Sequence, residues 1–226
     1  MNLLICFPAF NECGYIRSLV LRAKQFGNVT VLDDGSTDDT AWEAMGAGAD
    51  IVYHDANKGY GVAIQSILAH ARKEKPEVLV IMDADDQHFP SDILALVKAI
   101  YDGYDLAIGS RKGSDVPAYR RLGGTVLSIF TGILSGHYVK DSQCGFRAYS
   151  KRAVEQLDLK ETGMAVSSEI ISEAAKHRLK IVEVPIAVRY TADSSTHNPI
   201  KQGFYTLWRV LVMIARMIVR RILRNG

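Results

Sequence analysis

A chain of 226 residues, 48% of them hydrophobic, can bury one full core and fits a single domain. Its formal net charge of +2 excludes a general affinity for polyanions, so no nucleic-acid partner is expected. The three cysteines, Cys6, Cys13 and Cys144, lack paired metal-ligand spacing. Their odd count, without a signal segment, suits a reducing compartment and points to the cytoplasm.

Short β-type apolar runs alternate with helical stretches. "LLICF" (3–7) precedes a Pro turn and the helical pattern "GYIRSLVLRAKQFG"; "VTVLD" (29–33) precedes a Gly/Ser/Thr/Asp turn and a helix from about Asp38. "DIVYH" (50–54) leads into "GYGVAIQSILAHARKEK", and "VLVIM" (78–82) leads through an acidic loop into "SDILALVKAIYDG", with Ser91 as the expected N-cap. "DLAIGS" (105–110) is a fifth strand. Helical patterns cover about 119–135 and 165–177, short strands are expected at "FRAY" and "KIVEVPI", and a long helix closes the chain. This alternation predicts an α/β fold with a mainly parallel sheet and helices on both faces. Ligands bind such sheets outside the carboxyl ends of the strands. The polar stretches "PAFNE", "DDGSTD", "NKGYG", "DADDQH" and "GSRKG" each follow a strand, so they share that address.

"DADDQH" sets Asp83, Asp85 and Asp86 at the end of an apolar strand. Like charges about 4 Å apart repel by roughly 4 kcal/mol at an effective dielectric near 20, unless water or a divalent cation sits among them. Hard oxygen ligands, here carboxylates and the Gln87 carbonyl, suit Mg²⁺ or Mn²⁺. In "LDDGSTDDT", Gly35 permits a sharp turn and Ser36 or Thr37 can start the next helix, which leaves the acids Asp33 and Asp34 unexplained. A carboxylate there can accept a hydrogen bond from a nucleobase N–H. In "FPAFNE", Pro8 and Phe10 offer backbone and ring contacts to a base.

Seven stretches in this order, "PAFNE", "DDGSTD", "NKGYG", "MDADDQHFP", "GSR", "DSQCGFRA" and "EVPI", resemble the GT-A-fold family-2 glycosyltransferases. More narrowly they resemble the dolichyl-phosphate mannose synthase group, which transfers a sugar from a nucleotide donor to a polyprenyl phosphate. The resemblance runs from Leu3 to about Pro185 and implies a role for each matched residue. Pro8, Phe10, Glu12, Leu32 and Asp34 would line the base and ribose pocket, with Ala84 beside the donor. Asp83, Asp85 and Gln87 would hold Mg²⁺ or Mn²⁺ on the donor diphosphate, Asp85 being essential to transfer. Arg111 would face phosphates, and Asp141 and Arg147 would lie near sugar and acceptor. Asp86 stands where the group more often has an uncharged residue, and is expected to be a solvated charge.

Past "EVPI" the chain departs from the pattern. The Arg and Ser-Lys pair that grip donor phosphates in the group give way to "AVRYTADSSTHNPIKQG" (187–203). Arg189 stands beside Tyr190, Thr196 takes the Lys position, and His197 and Lys201 are the candidate substitutes. This leaves GDP-mannose, UDP-glucose and UDP-N-acetylglucosamine all open as donors.

The last helix, "QGFYTLWRVLVMIARMIVRRILRNG", carries Arg209, Arg216 and Arg220 within roughly 40° of one another. A basic stripe on an otherwise apolar helix is the pattern of an interfacial membrane anchor. A span would place Arg216 mid-bilayer at about 2.5–3.5 kcal/mol, so residues 201–226 are expected to lie on the cytosolic face of a membrane, the arginines meeting head groups. The competing reading is a helix packed on its own domain or on a subunit. The resemblance also admits a homo-oligomer or a small membrane subunit as partner. The nearest alternative activity is transfer to a soluble or glycan acceptor, for which Glu169 is the candidate base. A non-catalytic sugar-nucleotide-binding subunit would be expected to show a damaged acid motif, and this one is intact.

Overall fold

The computed structural model describes residues 2–111, 118–189 and 199–225, with side chains at 2–111, 123–189, 202–219 and 223. Strands β1 (Leu3–Ala9), β2 (Asn28–Asp33), β3 (Asp50–Tyr53) and β4 (Val78–Ile81) are each followed by a helix: α1 (Cys13–Ala23), α2 (Thr40–Gly46), α3 (Tyr60–Glu74) and α4 (Ile93–Tyr101). Then come β5 (Leu106–Arg111), α5 (Ala118–Ser135), β6 (Arg147–Ser150), α6 (Lys151–Gln156), α7 (Val166–Lys176), β7 (Ile181–Ile186) and α8 (Pro199–Asn225). The sheet order is β3-β2-β1-β4-β6-β5-β7. β6 is antiparallel to both its neighbours, and the other pairings are parallel.

The sequence explains the layers. β4 is buried at all four positions, as expected of a strand with helices over both faces. α1 buries Ile16, Leu19, Val20 and Ala23, an i, i+3, i+4, i+7 stripe. Two expectations need local correction. Pro90–Asp92 forms a 3₁₀ turn before α4, so Ser91 is no N-cap. "FRAY" is a strand only from Arg147, and Ser150 then caps α6 by accepting the Ala153 N–H at 3.1 Å.

The topology fixes the site. From β1 the chain moves outward to β2 and β3, then returns across β1 to add β4 on its other side. The strand order reverses between β1 and β4, and the crevice beyond their carboxyl ends is where open α/β sheets bind ligands. Pro8–Glu12 leaves one wall of that crevice and Asp83–Gln87 leaves the other.

α8 differs from expectation in how its faces are used. Its inner face packs Val210, with Leu207, Met213 and Ile214, against Leu127, Phe130 and Leu134 of α5 and against Ala165. Arg209 faces the domain, where it grips the buried Glu161 through two bonds of 3.0 Å. The three arginines therefore do not jointly face outward as a head-group stripe. What α8 turns outward is mostly apolar: Phe204, Tyr205, Trp208, Leu211, Ile218 and Val219 are exposed, with Arg216 exposed among them. The packed-helix reading holds for the first half, while residues 215–219 are exposed at every position.

Candidate active site

The acid turn begins as β4 ends. Met82 and Ala84 are buried, whereas Asp83, Asp85, Asp86 and Gln87 are half-exposed. The turn is closed by the Gln87 N–H donating to Asp85 Oδ1 at 3.1 Å, and by Asp86 adopting φ 55°. Asp83 is held from behind: the Tyr60 hydroxyl donates to its Oδ1 at 3.0 Å, and His88 Nε2 lies 3.9 Å from its Oδ2. Burial lowers the pKa of the His88 imidazole, against the pull of the Asp83 charge.

Across the crevice, the loops after β1 and β2 knit together. Asn11, at φ 57°, receives the Thr37 N–H at 2.8 Å and donates its own N–H to Ser36 at 3.0 Å. The Glu12 N–H donates to the Thr40 hydroxyl at 2.7 Å, which ties the start of α1 to that of α2. Burial, then the charges of Asp85, Asp38 and Asp83, push the Glu12 carboxyl up to about 7. Burial and then Asp83 raise the Asp85 carboxyl as well. Two separate strand ends therefore bring Glu12 and Asp85 into a crevice where burial and the neighbouring acids disfavour their charged forms.

Pro8 is half-buried and Phe10 is 40% exposed at the mouth of the crevice, with Leu32 fully buried beneath. Asp34 is more committed than the sequence suggested. It is buried, and its carboxylate accepts from His54 Nδ1 at 2.5 Å, the Lys58 N–H at 3.0 Å and the Gly59 N–H at 2.9 Å. A carboxylate has about four acceptor positions, so these contacts leave one on Oδ2.

Arg111 and Asp141 do come together. The guanidinium binds the carboxylate bidentately at 2.6 and 2.7 Å, and the Asp141 N–H is held by Glu183 at 3.0 Å. Arg147 does not join them, and its expected contact with sugar or acceptor is corrected. It is 2% exposed, and its guanidinium donates to the carbonyls of Cys144 at 2.8 Å, Ser142 at 2.8 Å and Ser167 at 3.4 Å. Its role is to brace the 142–145 loop from inside.

Asp86 is likewise corrected: it is ion-paired with Arg22 of α1 and with Arg189 Nη1 at 2.9 Å. The Arg189 guanidinium also sits 5.0 Å above the Phe89 ring, and its N–H donates to the Gln87 carbonyl at 2.8 Å. The segment leaving β7 is thereby stitched to the acid turn. His197, Tyr190 and Thr196 lie outside the described residues, as does the side chain of Lys201.

Residues 4–157 match the family described as Glycosyl transferase family 2. This chain belongs to that family. The glycosyltransferase is 31% identical to the UDP-N-acetylglucosamine–dolichyl-phosphate N-acetylglucosaminyltransferase of Methanococcus voltae, over 92% of this chain and 94% of that protein. It is 37% identical to an uncharacterized protein of Methanocaldococcus jannaschii, over 93% and 91%. It is 32% identical to the dolichol-phosphate mannosyltransferase of Pyrococcus furiosus, over 82% of this chain and 56% of that protein. Among solved structures, glucosyl-3-phosphoglycerate synthase from Mycobacterium tuberculosis, in complex with Mn²⁺ and UDP-glucose, superposes with a TM-score of 0.77. That match is 21% identical and covers 95% of this chain and 79% of that one. Together these place the glycosyltransferase in the dolichyl-phosphate mannose synthase-like group, with a GT-A fold.

The donor set fits a hard divalent cation. Mg²⁺ is commonly bound by one or two carboxylates together with substrate phosphates and water, and Asp83 and Asp85 supply two carboxylates in one turn; among the described residues no group of three His, Cys, Asp or Glu is placed to hold a metal. The repulsion that raises the Glu12 and Asp85 carboxyls is what a divalent charge would offset. Sequence reasoning missed Tyr60, His54 and Asn11. Only the Gly residues flanking Tyr60 and the Asn-Glu pair after Pro8 hinted at tight backbone placement there.

Proposed function

We propose that this glycosyltransferase moves a sugar, with inversion, from a nucleotide-diphosphate donor to a polyprenyl phosphate of dolichyl type at the cytosolic face of a membrane. Asp83 and Asp85 at the topological switch point carry this reading, in a chain 31% identical over nearly its full length to a relative named for UDP-N-acetylglucosamine and dolichyl phosphate. On that ground UDP-N-acetylglucosamine stands first among the donors, ahead of UDP-glucose and GDP-mannose.

Pro8, Phe10 and Leu32 frame the base, Glu12 faces the ribose side, and Asp34 offers its remaining Oδ2 position. Asp83 and Asp85, with Gln87 adjoining, would hold Mg²⁺ or Mn²⁺. Such an ion supplies Lewis-acid neutralisation of the leaving diphosphate. Ala84, buried between the two aspartates, keeps the turn tight against the donor. Arg111, oriented by its bidentate hold on Asp141, positions an anion at the far side of the crevice. Arg189 stands ready beside the acid turn to meet donor phosphate, as does His197 in the segment beyond. A phosphate nucleophile is already ionised at pH 7, so no strong general base is required.

Less supports the soluble-acceptor alternative: its candidate base, Glu169, accepts the Lys160 N–H with both oxygens at 3.0 Å and the Glu161 N–H at 2.8 Å, which ties up most of its acceptor positions. The outward apolar face of α8 is the membrane contact in this reading. Trp208, Tyr205 and Phe204 are the side-chain types that settle at the head-group boundary. The test incubates membranes containing the protein and Mn²⁺ with labelled UDP-N-acetylglucosamine, UDP-glucose and GDP-mannose in turn. Label passing into organic solvent supports the proposal; label transferred only to water-soluble product overturns it.

A further inference from the structure

The sequence "NKGYG" places one tyrosine between two glycines, and both glycines are needed where they stand. Gly59 has φ 92° and gives its N–H to Asp34. A Cβ at Gly61 would overlap the Glu161 carbonyl, and the Gly61 N–H bonds the Thr162 carbonyl at 3.0 Å. The backbone of Tyr60 is thus fixed on both sides. Its ring starts α3 and reaches inward, so that the phenol end is enclosed although the residue as a whole is half-buried. The hydroxyl ends 3.0 Å from Asp83 Oδ1. On the other side of the same carboxylate, Gly145 lies so close that a Cβ would overlap both oxygens. The loop holding Gly145 is the one braced by buried Arg147 through the Cys144 and Ser142 carbonyls.

We propose that Tyr60 is a positioning residue for the cation site: its hydroxyl holds Asp83 Oδ1, and Gly145 leaves the space in which that carboxylate stays so aimed. The inference rests on the proposed metal role of Asp83 and deepens it. A carboxylate that must grip a small ion works best when its orientation is set before the ion arrives, and partners behind a metal ligand typically contribute 10–100-fold in metal affinity. Tyr60 needs no contact with the ion or the sugar to do this. It presents one donor, at one distance, to one oxygen.

The experiment measures Mn²⁺ alone binding to the full chain by electron paramagnetic resonance, in the parent and in Tyr60→Phe, with circular dichroism confirming the fold. The ring remains in the variant and only the hydroxyl is lost, so a purely structural role predicts unchanged Mn²⁺ affinity. Positioning predicts affinity lower by about 10-fold or more, and Gly145→Ala, which crowds the same carboxylate, should weaken binding alongside it. Should Tyr60→Phe fail to fold, Gly145→Ala, which keeps the Tyr60 ring and hydroxyl and crowds the same carboxylate, carries the test, and Mn²⁺ affinity within twofold of the parent overturns the proposal. A Tyr60 variant that folds and binds Mn²⁺ within twofold of the parent overturns the proposal alone. A parent that binds no Mn²⁺ overturns the metal reading and this inference with it.

Discussion

Arg209 of α8 and Glu161 of the loop before α7 form a bidentate ion pair, each of its two N–H···O bonds 3.0 Å long. Glu161 is 4% exposed, and its carbonyl also accepts from Gln65 of α3 at 2.9 Å. The loop that receives α8 therefore also touches the helix that carries Tyr60. Removing one partner of such a pair leaves a buried charge unmatched, which costs 3–5 kcal/mol when fully buried. The guanidinium side is 31% exposed, so water relieves part of that. Arg209→Ala should lower the unfolding free energy by about 1–3 kcal/mol, read from the urea midpoint.

Asp85 is the residue whose loss should stop the reaction. Asp85→Ala should cut sugar transfer by on the order of 10²–10³-fold or more, measured by organic extraction of labelled product. The fold should survive, and the metal-free protein should unfold at a slightly higher temperature, because the change removes one of the charges that burial and Asp83 disfavour. Near-normal transfer would refute the metal role.

Glu12 sets a pH dependence. Its carboxyl titrates near 7 in the folded protein against about 4.3 in an unfolded chain. The folded state thus holds a proton that the unfolded state has already released between those values. Stability from this group is full below the unfolded pKa and is lost as pH rises through about 7. Relative to Glu12→Gln, the metal-free parent should lose melting temperature between pH 5 and pH 8. Saturating Mn²⁺ should narrow the gap at pH 8, since it offsets the same repulsion.

The outward face of α8 can be tested without disturbing its inner face. Phe204→Ser, Trp208→Ser and Ile218→Ser together alter exposed positions only. Val210, 0% exposed in its contact with α5, is untouched. Vesicle co-sedimentation should fall sharply, while the urea midpoint stays near the parent's. Deleting residues 204–226 outright would also uncover Leu127 and Leu134, so the triple variant is the cleaner comparison.

The strand-helix alternation was legible because periodicity and strand ends are written locally. Asp83 and Asp85 stood out in the sequence less by themselves, since an acid turn at a strand end is usually a solvated cap, than by the six other stretches of the family pattern in order around them. Arg147 was misread because a sequence shows a cation and not its burial; three backbone carbonyls turned inward, none more than 20 residues from Arg147, take up its donors. Asp86 looked like a solvated extra charge because its partners, Arg22 and Arg189, lie 64 and 103 residues away. The stripe on α8 was real in angle, yet Glu161 claimed Arg209, and the greasy arc faced out instead. Tyr60 went unseen because a lone aromatic beside a helix start reads as core. Only the tertiary placement of Asp83 gives its hydroxyl a task.

The most direct measurement is a crystal structure of the protein soaked with Mn²⁺ and a nucleotide-sugar donor, with anomalous difference density recorded at the manganese edge. A peak between the carboxylates of Asp83 and Asp85, bridging to the donor's diphosphate, is the predicted result. Donor density in the β1–β4 crevice with the manganese peak elsewhere, or with none, would contradict it.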